Sequence, residues 1–110
     1  MAHLDQLWGA IIDQFDVDLV SQTVVLIGRV TDGSDAVTHR LEFLEVSELR
    51  FRNSIPGPWD YAEITEAHLA RSATGGISIE LVLWSNYAGI SVSAGSAIFD
   101  GSLLEVESSE

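Results

Sequence analysis

Glu66 and His68 stand two residues apart, so in a strand a carboxylate and an imidazole would share one face. That arrangement suits a general acid–base pair. Neither a nucleophile motif nor a phosphate-binding glycine loop lies near them in the chain, so a solvated pair is the plainer reading. Asp13, Asp16 and Asp18 lie close together, but without the glycine and closing glutamate that a calcium loop needs. They read as a solvated face. His3, His39 and His68 have no histidine partner at i+2 or i+4, and His39 falls on the apolar parity of its segment, as a core or rim histidine would. There is no cysteine, which removes disulfides, thiolate metal ligands and a cysteine nucleophile. The sequence predicts no catalytic residue, no metal ligand and no cofactor.

Residues suited to binding are easier to find. All five basic residues are arginines. Arg50 and Arg52 would share one strand face, with Arg40, Glu42, Glu45, Glu48 and Asp60 close in sequence. Such a set makes either a cross-strand ion-pair ladder, at about 0.2–1 kcal/mol per pair, or a patch that grips a carboxylate. The ladder is the simpler expectation. Trp59 follows Pro58, Trp84 falls on the polar parity of its strand, and Tyr87 sits in the turn after it. An exposed aromatic on a wet face anchors an interface. In a closed sandwich Trp84 would instead cap the core. Arg50, Arg52, Trp59, Trp84 and Tyr87 are therefore the candidate binding residues.

These residues need a scaffold, and composition bounds it. The 110 residues are a common size for one domain, 46% of them apolar. A chain of this length buries roughly two-thirds of its unfolded surface and folds without staples. Seventeen acidic residues against five basic ones give a net charge of −12. That charge repels nucleic acid and anionic membrane and attracts a cationic partner. No run of about 18 apolar residues suggests a membrane-spanning helix. The start, MAHLDQLWGAII, lacks the basic residues of a signal peptide, so a cytoplasmic location is expected.

The chain reads as strands and turns. Leu4, Leu7 and Trp8 allow one helical turn or a lead-in that tucks Trp8 against the core. Alternation over residues 11–19 and the β-branched run TVVLIGRVT give two strands, the second interrupted by Gly28. Asp32 and Gly33 mark a hairpin turn, and VTHRLEFL follows as a third strand. Parity slips at residues 44–48, read as a bulge or short connection, before Leu49 and Phe51 resume it. Pro56, Gly57 and Pro58 break regular structure. Residues 59–72 fit a strand or a helix, with the neighbouring turn signals favouring a strand. ISIELVLW is the clearest strand. Short strands then follow on either side of Gly95, and an acidic tail over residues 101–110 is expected to fray. The expected fold is all-β: one antiparallel sandwich or small barrel of about seven or eight short strands, with room for one short helix, over a core of about residues 8–100.

Three segments, LEFLEVSELRF, PGPWDYAEITEA and GGISIELVLWSN, give a pattern of E-F-x-x-V-x-x-L-x-F, then W-x-x-x-E, then a strand ending in W-S. Together they resemble the small bacterial YxiG-like proteins and the immunity-type proteins of polymorphic toxin systems, over roughly residues 8 to 100. The resemblance implies an all-β, non-enzymatic, intracellular protein, and carries no catalytic or ligand residue. The expected function is a protein-binding module for a basic protein partner, with neither nucleic acid nor membrane as partner. A small-ligand-binding barrel, a minor enzyme and a self-associating structural protein are the other readings. The protein itself would be a monomer or a homodimer.

Overall fold

The computed structural model describes residues 4–72 and 75–105. Its strands are β1 (Ile11–Asp18), β2 (Thr23–Asp32), β3 (Asp35–Asn53), β4 (Ile64–Arg71), β5 (Ile77–Leu83), β6 (Ala88–Phe99) and β7 (Ser102–Leu103). They form one antiparallel sheet in the order β1-β2-β3-β6-β5-β4, with β7 beside β6. The sheet folds over on itself as a sandwich and is not a closed barrel. The helical regions among the described residues are 3-10 turns at Leu4–Leu7 and Trp84–Asn86. None is long and apolar enough to cross a membrane.

The fold turns on β3 and β6, which pair from Leu41↔Phe99 to Asn53↔Ala88. On β6 the residues facing this side change parity halfway, whereas on β3 a positive-φ residue and a bulge restore it. Leu41 and Phe43 on β3 face Phe99 and Ala97 on β6; beyond the midpoint, Leu49 and Phe51 face Val92 and Ile90. The switch falls where Glu45 takes a left-handed φ of 56°, beside Gly95 and just before a bulge between Val46 and Glu48. A Cβ on Gly95 would stand 3.0 Å from that of Glu45, so glycine lets the bent strands stay in contact. The slip in the sequence is thus a bend within one strand, and Gly95 likewise lies inside one strand.

One layer holds β1, β2, the first half of β3 and the end of β6. The other holds the second half of β3, the start of β6, β5 and β4. Between them lie Val24, Leu26, Leu41, Phe43, Ile79, Leu81, Val92 and Phe99, all essentially inaccessible. Gly28 does not interrupt β2. It pairs with both neighbours and leaves room for Leu7 and Ala10. Leu7 therefore seats the N-terminal turn, whereas Trp8 stays partly exposed, its indole N–H donating to the Ala67 carbonyl. Of residues 59–72, Ile64–Arg71 are strand, whereas 59–62 are irregular, neither strand nor helix. A bulge at Thr65 brings Ile64, Ala67 and Leu69 to the inner side against β5. The tail is not wholly frayed: β7 pairs with β6, Leu104 is buried and its N–H donates to Ala97. Residues 106–110 lie outside the described residues. The core is thus wider than residues 8–100, since Leu4, Leu7 and Leu104 join it.

β1 also touches the second layer at its ends. At its start, Ile12 N–H donates to the Ala62 carbonyl, and Ile11 bridges Glu63. At its far end, the turn into β2 accepts the Val46 N–H on the Gln22 carbonyl at 2.8 Å. The two layers are therefore tied at both ends of β1 and parted beneath its middle.

Close packing of β5 on β6 sets a sharp test. A Cβ on Gly76 would sit 2.2 Å from the Ala94 carbonyl oxygen, a backbone atom that cannot move aside. Gly76→Ala should therefore cost at least about 3 kcal/mol, within the range of Phe43→Ala in the core. Urea unfolding of both variants checks this, and a Gly76→Ala cost under about 1 kcal/mol would contradict the packing.

Candidate functional site

Three consecutive residues after β5, Trp84, Ser85 and Asn86, have φ of 52°, 54° and 84°. Left-handed backbone costs roughly 1–2 kcal/mol per non-glycine residue, least for asparagine. The turn is held from outside. Arg52 donates from Nη1 to the Asn86 carbonyl at 3.1 Å and from Nη2 to Asn86 Oδ1 at 3.0 Å. The Ser85 N–H donates to Thr65 Oγ1. Thus fixed, the turn carries Trp84 out of β5 and against two other rings.

Trp59 meets Trp84 edge-on at 5.8 Å, and Tyr61 meets Trp84 at 5.1 Å. On the other side Trp59 meets Phe51 at 6.1 Å. Each contact adds about 0.5–1.5 kcal/mol beyond burial. The series Phe51–Trp59–Trp84–Tyr61 runs across the surface, and its outer members are more than half exposed, Phe51 at 61% and Tyr61 at 53%. Trp59 is placed by the Pro-Gly-Pro crossing, its indole N–H donating to the Ile55 carbonyl. Trp84 Nε1 is buried with no hydrogen-bond partner among the described residues.

Beside this shelf the two layers part. A cavity of about 300 Å³ opens between β1 and the second half of β3. Ile12 and Phe15 roof it, Leu83 and Ile90 floor it, and Leu49, Phe51, Trp59 and Ala62 line its sides. Further depressions share these residues. One runs from Leu49 to Val17, Leu19 and Asp18, and another runs from Trp59 to Tyr61 and Asp60. They form one groove with a carboxylate near each end and no basic residue lining these depressions. Asp18 accepts the N–H groups of Ser21 and Val20. The backbone and side chain of Ser21, then the Val20 N–H, hold its carboxyl below the usual 3.8.

The five residues predicted to bind are therefore divided. Trp59 and Trp84 come together. Arg50 and Arg52 share the opposite face of β3 from Phe51. No cross-strand ladder forms there: Arg50 meets Glu48 of its own strand at 3.0 Å, and Arg52 serves the Asn86 turn. Tyr87 is 63% exposed and lies outside the ring series. Phe51, Tyr61, Ile12, Phe15 and Leu49 were missing from the prediction. Alternation marked Leu49 and Phe51 as one face, but nothing local says that this face is left partly uncovered.

His39 is buried and stacks on Phe99; its Nδ1 lies 2.6 Å from Asp100 Oδ2, so a carboxylate holds it. Asp100 also accepts the Arg40 N–H, which makes the pair a structural clasp. His68 Nε2 lies 2.9 Å from Glu66 Oε1, both side chains about half exposed and Trp8 edge-on to the imidazole. Asp13 pairs with Arg29, whose pKa it raises by hydrogen bond and charge. No group of three or more acidic or histidine side chains gathers for a metal among the described residues. No known protein-family model and no curated protein matches the sequence.

Arg52→Ala should cost about 1–2 kcal/mol and change the tryptophan emission, because two bonds to the left-handed turn are lost. Arg50→Ala, at an exposed pair, should cost under about 0.5 kcal/mol with unchanged emission. Denaturation followed by fluorescence checks both. For Asp18, the depressed pKa means that stability is present above the unfolded value and lost as pH falls through the lower folded one. The stability gap between the natural chain and Asp18→Ala should hold above about pH 5 and narrow below about pH 3.8 in thermal melts.

Proposed function

We propose that this protein is a non-enzymatic protein-binding module for a basic partner, and in its finer form an immunity-type inhibitor of a basic toxin domain. The observation that carries the reading is the shelf Phe51–Trp59–Trp84–Tyr61, continuous with an apolar cavity on a chain of net charge −12. Large rings anchored in place and ringed by water-excluding contacts are the anchors that dominate interfaces. The surrounding negative field would speed encounter with a cationic surface and reject anionic ones. The finer reading also draws on the resemblance of residues 41–51, 56–67 and 75–86 to immunity-type proteins.

A second reading has its own support. A cavity of about 300 Å³ is at the lower end of small-ligand sites. Such sites also present a few polar groups that orient the ligand, and the lining of this cavity is apolar side chains throughout. A partner's side chain, delivered by its own backbone, needs no such orientation.

A photo-crosslinking residue at position 61 of the full chain, in lysate of the source cells, should give adducts with strongly basic proteins. Adducts should fall at least about tenfold between about 50 and 500 mM salt. The same residue at position 37 should give none of them. Adducts equal at both positions, insensitive to salt, or confined to acidic proteins would overturn the reading. A basic partner without toxic activity would remove the finer form alone.

A further inference from the structure

Among the described residues, the second half of β3 has a partner on one side only. β2 pairs with residues 35–43 of β3, and from Ser47 to Asn53 β6 is the one described strand alongside. The phase of that free edge can be read. Ser54 N–H donates to the Tyr87 carbonyl, so the pair 54/87 is hydrogen-bonded. In an antiparallel ladder bonded and non-bonded pairs alternate, which makes Arg52↔Gly89 and Arg50↔Ser91 bonded pairs. The backbone N–H and C=O groups of Leu49, Phe51 and Asn53 therefore point away from β6, outward along the edge. Their side chains do something different: Leu49 and Phe51 line the apolar groove.

An open edge and an apolar groove thus lie along the same residues. An exposed edge is ordinarily blunted because it templates pairing with another chain. Here the edge residues Leu49 and Phe51 are apolar and exposed, at 37% and 61%. The groove ends at Asp18 and Asp60, and the nearby cations are occupied: Arg29 by Asp13, Arg50 by Glu48, and Arg52 by Asn86. A second copy of this chain would bring a like-charged edge against this one, and −12 on each copy opposes that.

We infer that the edge of β3 from Leu49 to Asn53 accepts an extended basic segment of a partner protein as an added strand. Its main chain pairs with the outward groups of Leu49, Phe51 and Asn53. Alternate apolar side chains of the segment enter the groove under Phe15, and cationic residues at its two ends, on the same face, reach Asp18 and Asp60. Main-chain bonds would supply affinity and the pockets specificity, as in other strand additions. The inference rests on the protein-binding reading and adds where and how the partner's chain lies.

The probe is a capped nine-residue peptide with arginine at positions 1 and 9, valine and phenylalanine at positions 3, 5 and 7 and serine between them, titrated into the full chain. Its three controls are a copy with glutamate for arginine, a copy N-methylated at alternate residues, and the unmodified peptide with Phe15→Asp and Phe51→Pro variants. Phe51→Pro removes an outward N–H together with a ring of the groove wall, while the N-methylated copy tests the main-chain bonds alone; amide exchange in β5 and β6 shows whether either variant is folded. Binding should slow exchange at Leu49 and Phe51 at least about tenfold. The glutamate copy should not bind, and N-methylation or either variant should weaken binding at least about tenfold. Unprotected Leu49 and Phe51 amides, equal binding of the N-methylated or glutamate copy, protection on β4 instead, or no binding would each overturn the inference. So would a concentration-dependent dimer that protects the same amides, which makes the occupant a second copy. If the crosslinks at position 61 to basic proteins persist in those cases, the protein-binding reading stands and only strand addition falls.

Discussion

Two long strands, β3 and β6, belong to both layers at once, and this sharing governs the rest of the molecule. A sandwich normally holds its layers together through packed side chains alone. Here the backbone ladder itself passes from one layer to the other and bends where Glu45 meets Gly95. The bend decides which residues face inward on each side of it. It therefore fixes both the core, with Phe43 and Phe99 before it, and the groove, with Leu49 and Phe51 after it. Core and candidate site are two stretches of the same strands, so the site inherits the rigidity of the core.

Local order at the site comes from a polar interaction set apart from the aromatic surface. Arg52 lies on the reverse face of β3 from Phe51, yet it holds the turn that aims Trp84. Three left-handed residues in a row would not persist in isolation. The guanidinium, with two bonds to one asparagine, and the Thr65 hydroxyl together specify that conformation. Strained backbone held by its surroundings is a common feature of functional positions. The scarcity of basic residues gives this role further weight, because the cation at this position is spent on geometry rather than on recognition.

Much of the fold was legible because strands with one buried face alternate in sequence. The run ISIELVL and the hairpin at Asp32 and Gly33 show this plainly. What was not legible depended on distant partners. The parity slip at residues 44–48 reads equally as a break or a bend until β6 is known to bend with it. Residues 59–72 fit two periods; pairing with β5 makes 64–71 a strand, and 59–62 follow neither. At the site, Trp59 and Trp84 stood out by type. Their neighbours Phe51 and Tyr61 did not, since Phe51 looked like an ordinary core residue. Arginines near many glutamates suggested a ladder, but the partner of Arg52 lies 34 residues away in a turn. The groove was beyond local reading altogether, because it is a gap left by the path of another strand.

That strand, β1, is a strap fastened at both buckles: to residues 62 and 63 at one end and to Val46 through the Gln22 carbonyl at the other. A strap of fixed attachment has only its length to vary. β1 already carries one surplus residue, the bulge at Asp13 between Ile12 and Gln14. That extra residue bows the strand locally. Adding another between Gln14 and Asp18 would lift Phe15 and widen the bore beneath it, and removing the bulge would draw the roof down. Relatives with strands of different length at this position would thus hold grooves of different calibre on an unchanged core.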